Sequence, residues 1–249
     1  MKITAVGFLG IAGLLSLAAP LAAQTGLKAA DSPVIAENVL PEAPEPAAAA
    51  AGQPIGHGSA VAPRYTLYIN PGQMAQPLDA NQKMGLAALQ IVNGNIFATS
   101  LLSAGWSQLI NSDPKYGTDR GAFGQRYGAA ILRESSQSLL AGGVMAVVFH
   151  DDPRYYVLGD GHGVAHRTWY AVTRVFVTRS DAGTERANLP LLVGYLGAAA
   201  LTQPYYPEPS RGAGKVFSTY GASLGGSALG YAFHEFLGDG LRLTHIKRD

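Results

Sequence analysis

The sequence predicts a mostly α-helical protein, a single Gly/Ala-rich helical bundle over residues 61–249 behind a Pro/Ala-rich tether. Three observations predict it. Asp79 stands three residues before Gln82 at the head of an apolar run, the signature of a capped helix start. Phe97, Leu101, Leu102, Trp106, Leu109 and Ile110 recur at helical spacing. The stretch from Asp119 to Phe149 is polar at its start and apolar all round from Leu139, as a helix that ends inside protein or lipid must be.

Residues 1–23 read as a secretory signal. Lys2 is the positive start, Val6 to Leu17 the apolar run, and Pro-Leu-Ala-Ala at 20–23 the small-residue exit. Residues 24–60 read as a disordered linker, because Leu40 to Ala51 is built of Pro, Glu and Ala and offers little to pack. The chain is therefore expected to be exported, to the periplasm or the outer membrane.

Within the body, Asn93-Gly94 interrupts the first helical run and Asn111-Ser112-Asp113-Pro114 ends the second. Trp169 to Thr178 carries two signals. Its β-branched and aromatic residues favour a strand. Ala165, Trp169, Val172 and Phe176, at spacings of four, three and four, favour the helix adopted here. Ser180 to Gly183 is a turn, and Pro190 suits the first turn of a helix that runs to Leu201. Gln203 to Arg211 is a Pro/Tyr loop. The last long element spans Lys215 to Leu237, and the charged tail Arg242 to Asp249 frays.

An outer-membrane β-barrel is the rival fold. Tyr220 to Phe236 has barrel-like Gly and aromatic content, but the helical region leaves about 100 residues, barely enough for eight strands.

Charge limits the functions available. Charged residues are 14% of the 249, against about 25% in a typical soluble domain. The formal net charge of +1 excludes a strongly basic nucleic-acid binder. The absence of cysteine excludes a disulfide scaffold, a thiolate metal site and a cysteine nucleophile. No phosphate loop or dinucleotide fingerprint is present, so no cofactor is expected. Gly-x-x-x-Gly pairs at 221/225 and 226/230 suggest a face where another backbone approaches closely. Low charge and apolar helices point to membrane lipid or an envelope protein as partner, and to a non-enzymatic, structural role.

Three local patterns bear on chemistry. Gly221-Ala222-Ser223-Leu224-Gly225 matches the G-x-S-x-G of serine hydrolases, which place the nucleophile on a strained strand-to-helix turn. Ser223 is then the candidate nucleophile, with Asp239 and His245 its only downstream partners in the required order. The competing reading is small residues in a packed helix. His162 and His166, four apart, have metal-ligand spacing on a helix, with Asp151, Asp152 and Asp160 as nearby carboxylates. The competing reading is a pair of loop or helix-start histidines without a ligand. His150-Asp151-Asp152-Pro153-Arg154-Tyr155-Tyr156 reads as a structural corner, since Pro153 stops the long helix. Its functional reading is a polar pocket in which Asp152, Arg154 and Tyr155 hold a ligand.

The leader, the Leu-Pro-Glu-Ala-Pro tether and the Asp-Pro-Arg-Tyr-Tyr corner together resemble a group of uncharacterised secreted bacterial proteins of similar length. The resemblance implies export and single-domain organisation, and brings no activity, cofactor or catalytic residue.

Overall fold

The computed structural model describes residues 58–243. The segment expected to be a signal, 1–23, the expected tether up to residue 57 and the tail beyond residue 243 lie outside the described residues. The fold is mostly helical, as predicted. Its strands form sheets of two, two and three strands, and no closed barrel occurs among the described residues.

Strand β1 (Gly58–Val61) starts inside the segment assigned to the tether. It pairs in parallel with β3 (Gly72–Met74). Between them β2 (Tyr68–Ile69) pairs in parallel with β5 (Tyr155–Tyr156). Such two-residue pairings between distant segments leave no periodicity in the sequence.

Helix α1 (Ala80–Val92) begins where predicted. Asp79 Oδ1 accepts from Gln82 N at 2.8 Å, and Gln82 Oε1 accepts from Asp79 N at 3.2 Å. Asn93 ends α1 and caps α2 (Gly94–Leu109), with a 55° bend between the two. The buried residues of α2 are Ile96, Ser100 and Ala104, whereas Leu102, Trp106 and Leu109 face outward. Arg126, 1% exposed, fastens the connection to α3 (Arg120–Gln137) by donating to the carbonyls of Ser112, Pro114 and Gly117.

The predicted helix 119–149 is continuous but not uniform. After α3 the chain widens into a π-helical segment, Ser138–Met145, before a last α-turn, α4 (Ala146–Val148). This segment is the packing centre, with α1 on one side and α6 (Leu189–Ala200) on the other. The contacts are close because the residues are small. A Cβ on Gly194 of α6 would lie 2.6 Å from Ala141 Cα, and one on Gly143 would lie 2.9 Å from Met84 Sδ of α1.

His150, at φ 55°, reverses the chain after α4. Asp151–Asp152 then forms β4, antiparallel to β6 (Val177–Ser180), which pairs with β7 (Glu185–Ala187) through the predicted turn. Both signals in 169–178 are realised. Helix α5 runs from Val164 to Thr173, and the β-branched remainder enters β6. The switch is tertiary. Asn188 donates from Nδ2 to Arg174 O at 2.9 Å and from its backbone N to Phe176 O at 2.8 Å. Lys83, 2% exposed, ties α1 to the β6–β7 turn through Asp181 at 2.7 Å.

The last helix, α7 (Ala213–Leu243), is longer than predicted at both ends. The close approach expected at its Gly-x-x-x-Gly pairs is not made among the described residues. A Cβ at Gly221, Gly225, Gly226 or Gly230 would meet nothing within 4 Å. Among the helical glycines described, close approach falls instead to Gly143 and Gly194, which belong to no such motif.

Candidate functional site

Strands β4, β5 and β6 bring the corner residues together. Arg154 folds back on Asp152 in a bidentate pair, Nε to Oδ1 at 2.8 Å and Nη2 to Oδ2 at 2.7 Å. Arg154 N donates to Oδ1 at 3.0 Å and Tyr156 OH to Oδ2 at 2.6 Å, which leaves the Asp152 carboxylate fully satisfied. Arg154 Nη2 also reaches the Gln76 carbonyl at 2.7 Å. Burial works against the Arg154 charge, but Asp152 outweighs it and holds the guanidinium above its ordinary pKa. Burial, reinforced by Asp152, pushes the Tyr156 hydroxyl far above the ordinary tyrosine range, so it stays a donor.

Tyr155 points the other way. Its hydroxyl donates to Glu235 Oε2 of α7 at 2.8 Å, and its ring stacks on Tyr231 with centroids 4.7 Å apart. Burial and the Glu235 charge keep that hydroxyl protonated. Glu235 further accepts from Leu158 N at 3.1 Å, Gly159 N at 2.8 Å and Arg167 Nε at 3.2 Å. Arg167 continues to Asp239 at 2.6 Å and lies 4.5 Å over the Phe236 ring.

Between these groups and the π segment lies a cavity of about 200 Å³. Asp152, Arg154 and Tyr155, the corner residues singled out from the sequence, all line it. So do Tyr68, Arg174, Arg179, Tyr195 and Tyr231, which the sequence reading missed. Burial pushes the Tyr68 hydroxyl up to about 12. Arg179 is 4.6 Å over the Tyr156 ring and faces Asp152 across the β4–β6 pair. A sequence signal existed for Arg174 and Arg179, since each interrupts an otherwise apolar or β-branched run.

The other candidates are placed apart. Ser223 lies within the uninterrupted helix α7, so the strand and strained turn of a nucleophile elbow are absent from its surroundings. Its Oγ accepts from Gln137 Nε2 at 2.6 Å. Asp239 is engaged by Arg167, and His245 lies outside the described residues. The rings of His162 and His166 are neighbours, 5.1 Å apart and perpendicular. The carboxylates considered beside them are in ion pairs: Asp151 with Arg186, Asp152 with Arg154, Asp160 with Arg242. Among the described residues no group of three or more His, Cys, Asp or Glu converges in metal-binding geometry.

Neither a family model, a curated protein nor a solved structure matches this chain. Its function is therefore read from the molecule itself.

Proposed function

We propose that this chain is a non-enzymatic, exported cell-envelope protein that works with part of its helical surface in lipid. The observation that carries the reading is the inverted face of α2. A helix on a water-exposed surface turns its large apolar residues inward and charge outward. Helix α2 buries Ser100 and Ala104, with Ile96 its one large buried residue, and exposes Leu102, Trp106 and Leu109, at 74%, 65% and 82%. No charged residue occurs from Met84 to Ser112. Helix α7 also presents an uncharged outward face with large apolar residues on it. Its outward residues include Phe217, Gly221, Gly225, Leu229 and Phe233, and no charge occurs from Val216 to His234. Its charged residues are engaged at the ends, Lys215 with Asp113 and Glu235 with Arg167.

Exposed apolar surface of this extent marks an interaction face, and small residues inside with large ones outside suit a lipid environment. No single described helix is long and apolar enough to cross a membrane, and α1 and α2 reach that composition only as a bent pair. The reading is therefore of helices lying at the membrane surface rather than of one simple span.

Fractionation of the untagged full-length protein into soluble and membrane material, followed by a carbonate wash, tests it. Carbonate-resistant membrane recovery is expected. Recovery wholly in the soluble fraction would overturn the proposal.

A further inference from the structure

The cavity beside the corner carries an unbalanced charge. Of the charged side chains on its wall, Asp151 is paired with Arg186, Asp152 with Arg154, and Arg174 with Glu185 at 2.7 Å. Arg179 has no carboxylate within ion-pair distance among the described residues and makes no side-chain hydrogen bond; its guanidinium rests on the Tyr156 ring. Among the described residues, three buried guanidinium N–H groups of residues that line the cavity also lack acceptors: Arg154 Nη1, Arg174 Nε and Arg179 Nε.

The Arg154 case is the most demanding. The side chain is fully buried, its Nε and Nη2 are committed to Asp152, and Nη1 lies on the opposite edge of the guanidinium plane. A buried donor without an acceptor is costly, because it has given up water for nothing. A water molecule would satisfy such a donor but would not neutralise Arg179. A monoanion does both.

The remaining lining defines the rest of the ligand. The volume of about 200 Å³ modestly exceeds the ~150 Å³ that accommodates a benzene ring. Tyr68, Tyr156, Tyr170 and Tyr231 offer aromatic walls, and Gly142 and Leu191 an apolar one. A planar carboxylate matches the guanidinium fork.

We propose that this cavity binds a small aromatic carboxylate, held by Arg154 Nη1 and Arg179 and enclosed by the tyrosine rings. Asp152 is then a positioning residue, since its oxygens are consumed in orienting Arg154, and Tyr155 contributes its ring while its hydroxyl serves Glu235. The site is independent of whether the outer helices meet lipid.

Calorimetric titration of the full-length protein with benzoate, benzamide and acetate tests the proposal. Benzoate is expected to bind at least about tenfold more tightly than benzamide, which lacks the charge, and than acetate, which lacks the ring. Arg179→Gln is expected to keep the circular dichroism spectrum and to erase the preference for benzoate over benzamide. If that variant fails to fold, Arg179→Lys, which keeps the charge without the planar fork, is expected to fold and to lower the preference. No benzoate binding at about ten millimolar would overturn the site. Equal binding of benzoate and acetate would overturn the aromatic part, and an unchanged preference in the Arg179 variants would overturn the role of that residue.

Discussion

The Glu235 carboxylate, on a residue 1% exposed, stands 3.2 Å from Arg167 Nε and joins α7 to α5 across a separation of 68 residues. Arg167 Nη2 also donates to the Glu235 carbonyl. Removing Glu235 leaves Arg167 only the partly exposed Asp239 and strands the Tyr155 hydroxyl and the Leu158 and Gly159 amides without their acceptor, which together costs about 3–5 kcal/mol. Glu235→Ala is therefore expected to lower the unfolding free energy by about that amount in urea titrations. The double variant Arg167→Met/Glu235→Leu should lose less. A loss below about 1 kcal/mol for the single variant would show that the pair does not hold α7.

Gly194 and Gly225 are both helical glycines, and their surroundings give opposite expectations. Gly194→Ala drives a methyl into the Ala141 backbone and should destabilise by about 1–3 kcal/mol. Gly225→Ala meets open space and should stabilise by up to about 1 kcal/mol. Thermal denaturation of the two variants separates them. Destabilisation by Gly225→Ala would mean that another backbone does pack on that face of α7.

Asp79 and Asp119 each accept a hydrogen bond from a backbone N–H in the first turn of their helix, at 2.8 Å. Replacing either by Ala should cost about 1 kcal/mol. Denaturant midpoints measured at constant slope check this, and additivity of the double variant would show that the caps act independently.

His234 stacks on Tyr68 with ring centroids 3.5 Å apart, and burial holds its pKa below the ordinary 6.5. Protonation therefore favours the unfolded chain. The stability that depends on neutral His234 is complete above pH 6.5 and is lost as the pH falls below it. His234→Phe keeps the ring stack and removes the titration. The stability difference between wild type and His234→Phe should therefore shift in favour of the variant between about pH 7.5 and about pH 5.5. A difference independent of pH would refute the assignment.

Local structure was legible in the sequence wherever a short-range rule governs it. The Asp79/Gln82 capping box, the Asn93 break, the helix start at Asp119, the Ser180–Gly183 turn and Pro190 in the first turn of α6 each depend on a few neighbouring residues, and each is present. The corner at Asp152 and Arg154 was legible too, because Pro153 forbids the helix and the charges stand two apart. The rest was decided by contacts between distant segments. The π segment, the parallel β2–β5 pair, the conversion of Val177–Ser180 into a strand and the recruitment of Arg179 and Glu235 depend on partners far along the chain. The sequence also located the glycine-rich pairs, but only the packing shows that Gly143 and Gly194 make close approaches between helices while a Cβ at the pairs on α7 would meet no described neighbour within 4 Å. Capping and turn chemistry act over one helical turn and leave a pattern in the residues. Burial, neutralisation of charge and backbone approach are properties of the space between elements, and that space exists only once the chain has folded.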